Sequence, residues 1–289
     1  MSAAPASPTA SPATSPTAST AVQEAFLKAF HAEHPAVTAD AFVAGRSPDG
    51  RSSYRILSDR VAGARRVLDL GCGDGVLLDL LARTEERRLA GVDLSPEALA
   101  LARRRPSLRT TALAQARAQR LPFADGAFDA CVCHMALMLM GDVDRVAAEI
   151  ARVLSPGSTL ACVVGGGAVG GEAYELFSGL LRAAVERAPA EQRIPPLGDR
   201  RTRSREGLGA ILEPAGFCAP DRETVPIDLS GPVEQVWAAL SGIYDVGPLD
   251  PAAVSRLRES FVREAAGLAG PDGRVPCGFT VHVVTARLR

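Results

Sequence analysis

Three glycines, Gly71, Gly73 and Gly75, stand between two acids, Asp69 and Asp93. Glycine lets a backbone turn tightly and lets a ligand approach where a Cβ would stand in the way. Asp93 falls about 20 residues past the turn, where a carboxylate can grip both hydroxyls of a ribose. The glycines alone would serve NAD, FAD or S-adenosylmethionine (SAM). Asp69 sharpens the choice. An acid just before the first glycine would repel a pyrophosphate lying over the turn, and it suits the cationic amino group of the methionine part of SAM. The spacing Gly71-x-Gly73-x-Gly75 also differs from the G-x-G-x-x-G of dinucleotide turns.

A second group of residues could act on an acceptor. His134 titrates in the range of a general base. It follows the apolar run 128–133, at the edge where ligands of doubly wound sheets sit. A pocket-wall histidine held by a hydrogen bond is the competing reading. Cys133 to Met140 should face the donor, with Met135, Met138 and Met140 as adaptable apolar packing. Arg193, Arg200, Arg201, Arg203 and Arg205 could hold a carboxylate or phosphate of the acceptor, or form a solvated loop. Tyr54, Trp237 and Tyr244 could line the acceptor pocket or fill the core. His31, His34, His134 and His282 are too dispersed to nominate metal ligands, so the metal question stays open.

The elements that would position these residues follow from the apolar pattern. Strands are expected near 66–70, 88–93, 109–113, 128–133 and 160–164. A helix follows the glycine turn, and Ser95-Pro96 supplies a cap and a first-turn proline for the next. Val143, Val146, Ala147, Ile150 and Leu154 recur at helical spacing, and Ser155-Pro156-Gly157 should end that helix. Alternation of this kind argues for a parallel sheet covered on both faces. Beyond the fifth strand come an amphipathic helix over 173–185, an arginine-rich loop, and a helix over 204–215. A sixth strand is expected near 222–229, helices near 232–241 and 251–267, and a closing strand at 278–287.

The chain of 289 residues can bury a large core. Its 47% hydrophobic content and net charge of −1 describe a soluble globular protein without an electrostatic case for nucleic acid. Lys28 is the only lysine. Six scattered cysteines read as buried thiols in a reducing, cytoplasmic setting. No apolar run is long enough for a membrane helix, and no signal peptide is evident. Residues 1–20, rich in Ser, Thr, Ala and Pro, read as a disordered tail. Residues 21–62 read as N-terminal helices, including a short amphipathic one over 22–30. A domain over 63–289 follows, with insertions at about 166–203 and 231–270.

Four segments in order and spacing make the chain resemble the class I SAM-dependent methyltransferases. These are Val67–Gly75, Gly91–Ser95, Leu121–Asp129 and Glu149–Gly157. The resemblance implies a Rossmann-like α/β sheet of seven strands in the order 3-2-1-4-5-7-6, with helical lid insertions after strand 5 and between strands 6 and 7. It implies that Gly71, Cys72 and Gly73 contact the methionine part through backbone groups, with Asp69 nearby. Asp93 would hold the ribose, Leu94 would pack on the adenine, and Cys133 would wall the donor. Many relatives place an acid for the adenine amino group at the position held here by Arg117. The adenine contact would then fall to Gln115, the backbone of Ala118, or Gln119. Ser158 replaces a second glycine usual after the Pro-Gly turn.

The stretches that mark nucleic-acid and arginine methyltransferases are absent, so the resemblance points to a small-molecule acceptor, in a monomer or homodimer without nucleic-acid or membrane partners. Similarity to natural-product methyltransferases suggests secondary metabolism or antibiotic biosynthesis, and within it C-methylation of a 2-oxo acid such as 2-oxoglutarate. His134 would assist enolate formation, and Arg200, Arg201 and Arg203 would hold carboxylates. An O- or N-methyltransferase is equally compatible. An NAD-dependent oxidoreductase is disfavoured by Asp69, and a SAM-binding protein without catalysis stays open.

Overall fold

The computed structural model describes residues 17–84, 86–169 and 172–289. The expected tail up to residue 16 lies outside them. Helix α1 (Ala18–Glu33) begins ahead of the apolar periodicity, because the Thr17 hydroxyl caps it by accepting from Thr20 N. Helices α2 (Val37–Phe42) and α3 (Ser53–Asp59) lead to β1 (Arg66–Leu70). Then follow α4 (Val76–Thr84), β2 (Arg88–Asp93), α5 (Pro96–Arg103) and β3 (Ala112–Gln115). Ser95 caps α5 by accepting from Ala98 N, as its sequence implies. A 3-10 turn at Pro106–Leu108 sets β3 later than the sequence pattern does.

Next come β4 (Phe128–His134), α6 (Val143–Val153) and β5 (Leu154–Ala168). The helix ends at Val153, ahead of Ser155-Pro156-Gly157, and Leu154, expected on the helix, already begins β5. Its pairing slips from Phe128↔Leu154 to Ala130↔Thr159, and Gly157 takes a φ of 80° at the bulge. After α7 (Glu172–Arg187) and α8 (Arg205–Leu212) come β6 (Asp221–Asp228), α9 (Val233–Ser241), α10 (Pro251–Ala265) and β7 (Gly278–Arg287).

The seven strands form one sheet in the order β3-β2-β1-β4-β5-β7-β6. It departs from an all-parallel sheet at β7, which runs antiparallel to both β5 and β6. The link from β6 to β7 carries α9 and α10 beyond one end of the sheet instead of across its face. The chain therefore re-enters at the end it left, which forces the antiparallel sense.

Each face of the sheet has its own core, as the two-residue period of a strand requires. Cys131 and Cys133 pack with Val146, Ile150, Ile211 and Phe217 under α6 and α8. Ala130 and Val132 pack with Ile56, Leu57, Leu77 and Leu81 under α3 and α4. A third cluster belongs to α7, α9 and α10. There the Phe177 ring lies 5.9 Å from that of Trp237 and 5.8 Å from that of Phe261, all three buried. Trp237 is thus part of a helical lid that packs on itself. Among the described residues no helix is long and apolar enough to cross a membrane.

Candidate functional site

Parallel pairing of β1 with β2 sets Asp69 beside Gly91 and Leu70 beside Val92, so the turn after β1 and Asp93 meet at one sheet edge. Gly71 sits at φ 74°, and a Cβ there would lie 2.5 Å from Ala136 Cβ. Gly71 N and Cys72 N both donate to Val92 O, at 2.8 and 3.0 Å. Gly73 N donates to Asp93 Oδ2 at 2.8 Å. These N–H groups are therefore taken up by β2 and its acid. With these donors occupied, the turn is poorly suited to a pyrophosphate.

Asp69 is 1% exposed and its Oδ2 has no hydrogen-bond partner. Burial pushes its carboxyl well above the usual range, and the charges of Asp93 and Asp74 push the same way. Leaving such a group unpaired costs about 1–3 kcal/mol. A cationic ligand group in this cavity would satisfy and ionise it, so the site fits the ammonium of SAM. Asp93 Oδ1 accepts from Ser95 N at 2.8 Å. Each Asp93 oxygen thus accepts one backbone N–H and keeps capacity for a ribose hydroxyl.

Three adjoining cavities run along this edge. The first, about 110 Å³, lies between Leu94, Ala118 and Gln119 on the sheet side and Glu24, Lys28 and His31 of α1. The second, about 80 Å³, holds Asp69, Cys72, Gly73, Tyr54 and His134. The third, about 570 Å³, lies under the lid, with Phe42, Tyr174, Leu240, Phe279 and the backbone of Gly165, Gly166 and Gly167 in its wall. The first and second share His31, Gly71, Asp93, Ala136 and Leu139. The second and third share Thr38, Met135, Leu139 and Tyr244. Met135 at this join is held at φ 56°, a conformation that bulky side chains rarely adopt.

His134 lies on the second cavity and does not line the third. Its Nε2 shares a 2.9 Å hydrogen bond with Ser53 Oγ, and its ring stacks on Tyr54 at 3.9 Å. Burial lowers its pKa from 6.5 to about 3, so the ring stays neutral. Tyr54, read from sequence as an acceptor contact, likewise lies on the second cavity.

The remaining residues divide clearly. Cys72 lines the second cavity, and burial pushes its thiol well up, leaving backbone and bulk as what it offers. Cys133 lines none of the three; alternation on β4 turns it into the core beneath α6. Leu94, Ala118 and Arg117 line the first cavity with Gln119, while Gln115 does not. Of the arginines proposed for the acceptor, Arg203 lines the third cavity, near Asp245. Arg201 is instead bound to Asp199 and Asp144 on the surface, and Arg200 is exposed outside the cavity. Within the 3-10 turn at Arg200–Arg203, Arg201 is thus turned to Asp144 and Asp199 while only Arg203 of the three lines the cavity, so the three do not converge there.

Tyr244 does reach the join, with its hydroxyl 3.0 Å from His31 Nε2. Burial raises the pKa of Tyr244 and lowers that of His31, so both are neutral. Sequence reasoning missed His31, Glu24 and Lys28. Their signal was the spacing 24, 27, 28, 31, one face of a helix. Among the described residues no cluster of His, Cys, Asp or Glu could hold a metal ion.

Residues 68–162 match the family model described as a methyltransferase domain. The match covers about a third of the chain, and the sheet that carries it has the strand order of the class I SAM-dependent methyltransferase fold. A demethylmenaquinone methyltransferase of Thermus thermophilus is 38% identical over 99 residues, 33% of this chain and 45% of the relative. The methyltransferase GfsG of Streptomyces halstedii is 37% identical over 107 residues, 35% of this chain and 38% of the relative. The chain thus spans less than half the length of these relatives. Among solved structures, the YcgJ protein of Bacillus subtilis aligns with a TM-score of 0.54 at 17% identity, over 82% of this chain and 98% of that one. The [4+2]-cyclase SpnF aligns with a TM-score of 0.55 at 21% identity, over 94% and 96%. These two likenesses are of fold.

Proposed function

We propose that this protein transfers the methyl group of SAM to a small, largely apolar acceptor. The observation that carries the reading is the adjacency of the three cavities: the two at the glycine turn share lining residues, and the larger, mostly apolar one shares Thr38, Met135, Leu139 and Tyr244 with the second. When bound, SAM supplies an electrophilic methyl on a sulfonium. Asp69 and the glycine turn hold the ammonium, Asp93 the ribose diol, and Leu94 and Ala118 the faces of the adenine. The join orients the acceptor atom in line and keeps water out. Tyr244, backed by His31, is a polar group there beside Thr38 and positions the acceptor's own proton-bearing atom. His134 serves as a wall that fixes α3 against β4, since it stands on the donor side and is held neutral.

The apolar lining favours acceptors of the kind named for relatives, such as demethylmenaquinone and fatty acids, and we place the acceptor among secondary metabolites, as a name like GfsG suggests. A dicarboxylate such as 2-oxoglutarate fits less well, because Arg203 is the one arginine of the proposed three that lines the cavity. Since one protein of this fold is a [4+2]-cyclase, catalysis needs its own test. Calorimetry with SAM, S-adenosylhomocysteine and NAD should show binding of the first two. NAD binding without SAM binding refutes the donor reading. Release of S-adenosylhomocysteine with some member of a panel of apolar phenols and acids is expected; tight SAM binding with no release across the panel favours a binding protein. Asp93→Ala should weaken SAM binding by about 1–3 kcal/mol.

A further inference from the structure

The edge of adenine presents an amino group that donates hydrogen bonds beside ring nitrogens that accept them. A wall that reads this edge needs an acceptor and a donor side by side. The first cavity has such a pair, assembled from two distant parts of the chain. Arg117, just after β3, donates from Nε to Glu24 Oε1 and Oε2 of α1 at 2.8 and 2.9 Å. Its Nη2 lies 2.7 Å from Glu24 Oε1 and, shielded from solvent, makes no aligned hydrogen bond. Both side chains are largely covered, at 16% exposure for Glu24 and 27% for Arg117, and both line the cavity that Asp93 and Leu94 also line.

We propose that Glu24 accepts the adenine amino group and that Arg117 fixes the carboxylate in place, so that α1, which is not part of the sheet, completes the adenine site. The inference rests on the donor-site reading above. A carboxylate tied to one arginine keeps lone pairs for further donors. A plain surface pair would be solvated and nearly neutral in energy; this one is shielded and borders an apolar cavity. The rest of the helix agrees, because Leu27, Lys28 and His31 line the same cavity on the same helical face as Glu24.

The test is calorimetric affinity of the full chain for S-adenosylhomocysteine and for its 6-deamino analogue, which has purine in place of adenine. The natural protein should prefer S-adenosylhomocysteine by about tenfold, the scale of one charge-assisted hydrogen bond. Glu24→Ala should abolish the preference, bringing the affinity for S-adenosylhomocysteine down to that for the analogue. Glu24→Gln, which keeps the shape and loses the charge, should lower the preference in the same direction. No preference in the natural protein, equal losses for both ligands, or no loss for either would overturn the assignment. Failure of the natural protein to bind S-adenosylhomocysteine would instead refute the donor-site reading itself.

Discussion

Replacing Gly71 by alanine isolates how closely the turn is packed. Two costs add. The residue sits at φ 74°, where a Cβ meets its own backbone, a penalty of roughly 1–2 kcal/mol. The new Cβ would also fall 2.5 Å from Ala136 Cβ and 3.7 Å from Met140 Cε. Ala136 has no flexible end to swing away, so the backbone must move, and overpacking of this kind costs about 1–3 kcal/mol. Gly73→Ala is the internal control. Its φ is 52°, yet a Cβ there would meet nothing within 4 Å, so it should carry the conformational cost alone. Urea unfolding should give Gly71→Ala a loss of about 2–5 kcal/mol at unchanged m-value, exceeding that of Gly73→Ala by the overpacking share. Binding of S-adenosylhomocysteine should fall as well for Gly71→Ala, because Gly71 borders both donor cavities. Equal losses for the two variants would refute the claimed approach of the turn to Ala136.

Other outcomes follow from the same geometry. His134 is neutral in the folded chain down to about pH 3 but protonates near 6.5 once unfolded. Its depressed pKa therefore lends stability that is present above pH 6.5 and is lost as pH falls toward 3. The slope is about 1.4 kcal/mol per pH unit, and His134→Asn should remove one proton's worth of it in urea melts across that window. Phe261→Ala, in the ring cluster of the lid, should cost about 3–5 kcal/mol in the same melts. Arg201→Ala removes only exposed ion pairs and should change stability by no more than about 1 kcal/mol, with donor affinity unaltered in calorimetry.

The sheet was legible because its signals are local. Val67 to Asp69 and Gly91 to Asp93 each carry their own apolar run and acid, and Ser95 needs only Ala98 to cap a helix. The glycine turn after β1 was legible for the same reason. What the sequence hid depends on contacts between distant residues. Arg117 looked like a misplaced charge until Glu24, far away on α1, took it up. The arginines of 200–203 form one cluster in sequence, yet a 3-10 turn aims Arg201 at Asp144 and leaves Arg203 at the cavity. His134 lay between these cases. Counting β4 in twos puts it on the face of Ala130 and Val132, the α3 side, where Ser53 and Tyr54 meet it.

The hydrogen bond between His31 and Tyr244 joins a residue of α1 to a residue of the lid. A donor that enters by lifting α1 must break it, and an acceptor cavity with Tyr244 in its wall loses that anchor for as long as α1 is open. The two ligands are then coupled through one bond, and linkage makes the coupling reciprocal.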